Sequence, residues 1–188
     1  MPKPSTKYMD TKLEAICDLI FKMACDVNKA CFYLADSSVE KQYQACMAYE
    51  MNKAKLNYHS ETTIELLYKN FPLKDVRADF LLNPGGKNKF TEDIIIEVKH
   101  SDHSKSNKDK ARLQLFNYLY NAPKHASPML SKLKFGLVIH WTVQDPKKLW
   151  DGESKAASLQ NPIPNPRMEL WETTNSKATE FNLIKSWE

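Results

Sequence analysis

Several features that would assign a chain to a common class are missing from this sequence. No apolar run approaches the ~18 residues that a membrane-spanning helix requires. The segment 1–7 has no apolar stretch of the kind found in secretory signals, and the chain contains neither an internal repeat nor a low-complexity block. These absences predict a soluble, intracellular protein of the cytoplasm or nucleus, without a membrane partner.

Few cysteines are present, and their spacing fits no zinc site. The four cysteines stand at positions 17, 25, 31 and 46, three of them within one stretch of helical periodicity. We expect reduced thiols that behave as small apolar residues. With 42% hydrophobic residues, 27% charged residues and a net charge of +4, the composition is that of an ordinary globular protein.

Hydrophobic periodicity predicts helices first and strands afterwards. It predicts helices at 10–34, 39–56 and 109–121, and strands at 62–68, 77–82, 93–99, 135–141, 167–173 and 179–187. The last two strands form an expected hairpin, and a basic, serine-rich loop is expected before 109. Because a helix connects the strand at 93–99 to the strand at 135–141, these two should be parallel within a mixed sheet flanked by helices.

The most apolar of these strands, at 93–99, ends in charged side chains. Side chains alternate along a strand, so Glu97 and Lys99 share a face with Ile95. Asp79 lies in an apolar setting on the preceding strand, and a hairpin would bring it close to Glu97. Burying such charges is costly unless they are paired or bound to a metal. The alternative is an edge strand that carries a surface ion pair.

Two carboxylates at a strand end suit Mg²⁺ or Mn²⁺, which prefer oxygen ligands and keep several waters. We expect Asp79, Glu97 and the carbonyl of Val98 to bind the ion. It would polarise a phosphate oxygen and help to generate hydroxide. Lys99 would stabilise the developing charge or orient the attacking water. The pattern therefore predicts a metal-dependent phosphodiesterase.

Two helical pairs extend this prediction. Gln114 and Tyr118 lie four residues apart on one helix face, which indicates a face turned toward the cleft. The alternative is a surface glutamine beside a boundary tyrosine. Glu40 and Glu50 share a stripe of the preceding helix, and either can lend a third carboxylate. The alternative for each is a solvated surface glutamate.

A basic cluster precedes the third helix. Lys105, Lys108, Lys110 and Arg112 are opposed there only by Asp109. Such a cluster can neutralise phosphates of a nucleic acid. The alternative is a lysine-rich loop that is simply solvated.

Six segments, in order, resemble the GxxExxY proteins, a branch of the PD-(D/E)XK nuclease superfamily. They are Glu40–Met51, Tyr68–Lys69, Arg77–Asp79, Ile95–Lys99, Gln114–Leu119 and Gly136–Ile139. The likeness covers roughly residues 37–141. It departs at Ser37, where the family has glycine, at the longer turn from Asn83 to Glu92, and at His140-Trp141, which replaces Asn-Phe.

The resemblance implies an α/β fold with a restriction-endonuclease-like core at 37–142. Residues 1–36 would form an N-terminal helical extension, and residues 143–188 a C-terminal hairpin extension. Carried over residue by residue, it assigns metal binding to Asp79 and Glu97 and the catalytic lysine to Lys99.

The same resemblance makes Glu40 the acid borne by the helix and places Gln114 and Tyr118 near the site. We therefore expect a Mg²⁺- or Mn²⁺-dependent nuclease that hydrolyses DNA phosphodiester bonds, and a homo-oligomer built through an extension is compatible with this expectation. The alternatives are an inactive nucleic-acid-binding module and an assembly protein on the same fold. Retention of both carboxylates and the lysine favours activity.

Overall fold

The structure is a computed structural model that describes residues 10–33, 39–68, 71–85, 90–101, 104–143 and 162–188. The helices are α1 (Thr11–Cys31), α2 (Val39–Lys53), α3 (Lys105–Asn121) and the short α4 (Pro128–Ser131). The strands are β1 (Asn57–Tyr68), β2 (Phe71–Asn83), β3 (Ile94–His100), β4 (Phe135–Trp141), β5 (Arg167–Thr173) and β6 (Phe181–Trp187). No helix among the described residues has the length and apolarity needed to cross a membrane.

The strands form one mixed sheet in the order of the sequence, from β1 to β6. Neighbouring strands are antiparallel except β3 and β4, which are parallel and are joined through α3. The expected mixed sheet flanked by helices is therefore confirmed, and so is the predicted parallel pair. The predicted C-terminal hairpin is also confirmed, because β5 pairs with β6 in antiparallel register.

Alternation along β3 divides the core into two layers. Ile94, Ile96 and Val98 face the cluster that contains the buried side of α1 and α2. Ile95 faces the second cluster, which contains the apolar residues of α3. Fully burying one such side chain stabilises the fold by roughly 1.5–3 kcal/mol. The sheet is thus packed on both faces, so Glu97 and Lys99 lie at the end of a rigid strand.

The basic cluster does not lie in a loop. The structure begins α3 at Lys105, where Ser104 caps the helix by accepting a 3.3 Å hydrogen bond from the backbone N–H of Asn107. The prediction of a loop up to residue 108 was wrong, because the first turns of this helix are too polar to show an apolar period. Polar residues likewise hid the beginning of β1 at Asn57, and Pro72 hid the beginning of β2 at Phe71.

The β1–β2 hairpin separates from the sheet at Asp79. Between β2 and β3 only the stretch from Phe80 to Leu82 is paired, although β2 runs back to Phe71. The side-chain alternation of β2 also breaks here, because Ala78 packs on the α3 side whereas Phe80 packs on the other. This divergence opens the edge of β3 beside Glu97, which is where the site is built.

The helix and hairpin that were expected as extensions share the core of the sheet. Leu13 and Ile16 of α1 belong to the same buried cluster as Met168 of β5. Lys185 Nζ on β6 lies 2.7 Å from a carboxylate oxygen of Glu14 on α1. The domain limits at 36/37 and 142/143 stay predictions, as does an oligomer formed through these elements. Ser37 lies outside the described residues.

Candidate active site

Asp79 is held between β3 and α2. Its Oδ2 accepts a 2.7 Å hydrogen bond from the backbone N–H of Val98, a group that the divergence of β2 leaves without a strand partner at this point. Its Oδ1 accepts a 2.8 Å hydrogen bond from Nε2 of Gln44. Burial raises the pKa of Asp79, while the Val98 hydrogen bond and the charge of Lys99 act in the opposite direction.

Glu97 is the least satisfied carboxylate of the site. The residue is only 1% exposed, and neither oxygen accepts a well-aligned hydrogen bond from the described residues. Lys99 forms an ion pair with it, with Nζ 2.7 Å from Oε1. Burial, followed by repulsion from Asp79, raises the pKa of Glu97 to about 8. Such a group gains from any further positive charge that reaches it.

Lys99 lies between two carboxylates. Its Nζ is 2.7 Å from Oε1 of Glu97 and 3.7 Å from Oε1 of Glu40. Burial opposes the charged ammonium, but Glu97, Glu40 and Asp79 together outweigh it and raise the pKa of Lys99 above 10.5. The side chain is therefore a cation at neutral pH, suited to stabilising negative charge rather than to accepting a proton.

The structure brings one glutamate of α2 to this site and leaves the other away from it. Glu40 Oε2 accepts a 3.0 Å hydrogen bond from the backbone N–H of His100, in addition to its contact with Lys99. Glu50 instead forms an ion pair with Lys53 at 3.7 Å and lines a groove between α1 and α2. Glu40 is thus the carboxylate within reach, and its catalytic role stays a prediction.

Gln114 and Tyr118 brace β2 beside the carboxylates. The hydroxyl of Tyr118 donates to the backbone carbonyl of Arg77 at 2.8 Å and accepts from Nε2 of Gln114 at 2.8 Å. Arg77 stands two residues before Asp79, so this contact fixes the strand from the α3 side. Burial and the nearby charge of Glu97 raise the pKa of Tyr118. The predicted proximity is observed, in a supporting position.

The four basic residues of α3 have different surroundings. Arg112 forms a bidentate pair with Glu169 on β5, at 2.5 and 2.7 Å. Lys105 contacts Asp109 at 2.5 Å on the helix surface. Lys110 is exposed and Lys108 is half-buried near Arg112. Nucleic-acid binding by this set stays a prediction, and Arg112 is already engaged by a buried carboxylate.

Sequence reasoning gave no role to Gln44 and two backbone groups that complete the site. The spacing of four residues between Glu40 and Gln44 puts both on one face of α2. That spacing was visible in the sequence, but the contact with Asp79 depends on how α2 packs across the sheet. The N–H groups of Val98 and His100 carry no sequence signal, because every residue other than proline has one.

The mixed sheet, with two carboxylates and a lysine where β2 leaves β3, defines a nuclease-like α/β protein. A model of the PD-(D/E)XK nuclease superfamily matches residues 14–148, which is more than half of the 188-residue chain. The chain therefore belongs to the PD-(D/E)XK nuclease superfamily, and membership of the GxxExxY branch stays a prediction. No curated protein and no solved structure matches it.

Nucleases of this superfamily generally use divalent metal ions, and the carboxylates here fit one. Oxygen donors suit Mg²⁺ and Mn²⁺, and both oxygens of Glu97 are buried without an aligned donor in the described part of the chain. No three acidic, histidine or cysteine side chains among the described residues converge as a ready-made metal cage. An ion would therefore be held by Asp79 and Glu97 and would retain water ligands, as Mg²⁺ commonly does.

Proposed function

We propose that this protein is a Mg²⁺- or Mn²⁺-dependent nuclease that hydrolyses phosphodiester bonds of DNA. The observation that carries the proposal is Glu97, a buried carboxylate that is paired with Lys99 but accepts no well-aligned hydrogen bond from the described residues, adjacent to the second carboxylate of Asp79. Keeping two such groups close together is unfavourable without a cation. The expected ligands are Asp79, Glu97 and the carbonyl of Val98.

The ion would polarise a phosphate oxygen and lower the pKa of a bound water. The residues of the chain divide the remaining work. Lys99 places a protonated ammonium beside Glu97, where it can stabilise the negative charge that develops on the phosphate. Glu40 holds this ammonium and the backbone of His100 together. Tyr118 keeps β2 in position next to the carboxylates.

Cleavage and metal binding test this proposal together. Plasmid, linear and single-stranded DNA are incubated with the protein in Mg²⁺, Mn²⁺ or EDTA, and Mn²⁺ binding is measured by calorimetry. We expect cleavage only with metal, and Asp79→Ala should lose both cleavage and Mn²⁺ affinity. Asp75→Ala is the matched control, because Asp75 is an exposed carboxylate on the same strand. Equal Mn²⁺ binding by wild type and Asp79→Ala would contradict the ligand assignment.

The proposed DNA partner has its own test in the salt dependence of binding. Lys105, Lys108 and Lys110 are changed together to glutamine, which leaves Arg112 paired with Glu169. Removing these charges should weaken binding about equally for all DNA sequences. It should also reduce the steepness of the slope of log K against log salt concentration by roughly 0.9 for each lysine that pairs with a phosphate of duplex DNA.

The control for the lysine variant changes Lys132 and Lys134, exposed residues that precede β4 at the opposite end of the strand from His140. This control should keep the wild-type slope. A slope unchanged in the α3 variant would place the DNA path elsewhere on the protein.

A further inference from the structure

Helix α2 reaches the candidate site through two side chains, and only one of them was expected there. Glu40 contacts Lys99 and the backbone of His100 on β3. Gln44, one turn further along, donates from Nε2 to Oδ1 of Asp79 at 2.8 Å. The two contacts are made to different strands, so α2 bridges β2 and β3 at the point where these strands separate.

We propose that Gln44 is a positioning residue that orients the carboxylate of Asp79 for metal binding. The inference rests on the proposed function, because it presupposes an ion at Asp79 and Glu97. Gln44 itself does not touch the reacting atoms in this proposal. It acts through Asp79, and its effect is on how well the site holds the ion.

The geometry around Asp79 explains why a second donor matters. The backbone N–H of Val98 fixes Oδ2 at 2.7 Å but leaves the carboxylate plane free to turn about that bond. The amide of Gln44 fixes the other oxygen from a different element, so the plane is determined by β3 and α2 together. A carboxylate has about four acceptor positions. One hydrogen bond on each oxygen therefore leaves acceptor positions for a cation.

The chemistry of an amide also suits this position. A lysine or arginine here would form an ion pair with Asp79 and offset the negative charge that attracts a metal ion. A glutamine donates one hydrogen bond and carries no charge, so the full charge of the carboxylate is retained. An ionised Asp79 can only accept, so Nε2 is the end of the Gln44 amide that faces it.

Packing gives the alternative explanation, in which Gln44 only attaches α2 to β2. The two roles have different consequences in the absence of metal. A packing contact contributes to the stability of the metal-free protein. A positioning contact contributes to metal affinity, and the loss of such an outer partner typically costs ~10–100-fold in metal affinity or activity.

The test uses Gln44→Met, which keeps the length of the side chain and removes the amide. Binding of Mn²⁺ alone is measured by calorimetry, and melting temperature is measured in EDTA. We expect a Kd for Mn²⁺ raised ~10–100-fold and little change in melting temperature. Gln42→Met is the matched control, since residue 42 lies about 200° around the same helix at ~100° per residue. It should leave the Kd for Mn²⁺ unchanged.

A second variant and a rescue assay keep the outcome decisive if methionine disturbs packing. Gln44→Asn keeps an amide but is too short to reach Asp79, and it should weaken Mn²⁺ binding in the same way. Cleavage by both Gln44 variants should recover at saturating Mn²⁺. Wild-type affinity in either folded variant would overturn the positioning role alone. If wild type itself bound no Mn²⁺, both the inference and the proposed metal site would be overturned.

Discussion

Two buried glutamates on one face of the sheet have opposite surroundings. Glu97 on β3, Val138 on β4 and Glu169 on β5 form one row across the strands, since each is the register partner of the next. Glu97 is 1% exposed and Glu169 is 4% exposed, so burial alone does not separate them. Their hydrogen bonds do.

Glu169 is fully engaged by donors. Arg112 binds both of its oxygens, and Nε1 of Trp171 donates to Oε2 at 3.1 Å. Burial alone would favour the protonated form, but these partners outweigh it and lower the pKa of Glu169. Glu97 has an ion pair with Lys99 and a second carboxylate nearby, and its pKa is raised to about 8. A satisfied buried carboxylate stabilises the fold, whereas an unsatisfied pair is suited to binding a cation.

Replacing the basic residue of each pair, Lys99 beside Glu97 and Arg112 beside Glu169, should separate these roles. The largest effect is expected at Lys99. Lys99→Ala should lower the rate of DNA cleavage by ~10²-fold or more, as the loss of a charge partner in the transition state commonly does. The melting temperature should stay near that of wild type, because Glu97, whose pKa is already raised to about 8, can hold a proton once its ion-pair partner is lost. The measurements are single-turnover cleavage and a thermal melt.

The control for Lys99→Ala is Lys132→Ala, which removes an exposed lysine that precedes β4. It should cleave at close to the wild-type rate. Unfolding of the Lys99 variant, together with a wild type that does not cleave, would assign Lys99 to a structural ion pair.

At the second pair the expected loss is in stability. Arg112→Met leaves Glu169 buried with its strongest donors removed. Breaking a fully buried pair costs ~3–5 kcal/mol, and the 27% exposure of Arg112 reduces this to about 2 kcal/mol by solvent screening. Urea unfolding measures the change. Lys110→Met, an exposed change on the same helix, should stay within ~0.5 kcal/mol of wild type.

Unfolding free energies that match for Arg112→Met and Lys110→Met would remove the contrast between the two glutamates. In that case the Glu169 pair would contribute no more to the free energy of unfolding than a surface residue does. The DNA-binding role predicted for Arg112 would then be easier to reconcile with its position.

The features of the site that depend on short stretches of the chain were predictable from sequence. Period-two alternation correctly assigned Glu97 and Lys99 to one face of β3, and the helical connection correctly predicted that β3 and β4 are parallel. The resemblance directed attention to Glu40 rather than Glu50, and the structure brings Glu40 to Lys99. These inferences rest on short-range patterns, which the backbone geometry of strands and helices dictates directly.

The long-range parts were not predictable in this way. Arg112 and Glu169 are 57 residues apart, and Gln44 and Asp79 are 35 residues apart. Such pairs depend on how helices pack across the sheet, which periodicity does not specify. The same limit explains why β5 and β6 were expected as an extension, although they continue the main sheet. A polar helix start such as that of α3 gives no apolar signal either.

The pH dependence of stability offers the finest comparison of the two glutamates. In metal-free protein the pKa of Glu97 is about 8, against an ordinary value of 4.5 in the unfolded chain. Between these pH values the folded state retains a proton that the unfolded state has lost. The contribution of Glu97 to the stability of the fold is therefore greatest below pH 4.5 and falls as the pH rises toward 8. For Glu169, with its lowered pKa, stability is instead lost only as the pH falls below the ordinary value.

Thermal melts in EDTA from about pH 5 to 9 measure this difference. The melting temperature of wild type should fall steadily as the pH rises from about 5 to about 8 and then level off. Glu97→Gln should show a flatter profile, because its amide does not titrate, whereas Glu169→Gln should keep the wild-type slope above pH 5. Asp79 takes part in the same titration. The pH dependence that remains in Glu97→Gln therefore measures the contribution of Asp79. Parallel profiles for wild type and Glu97→Gln would mean that Glu97 is already ionised and satisfied, and the two glutamates would then be alike.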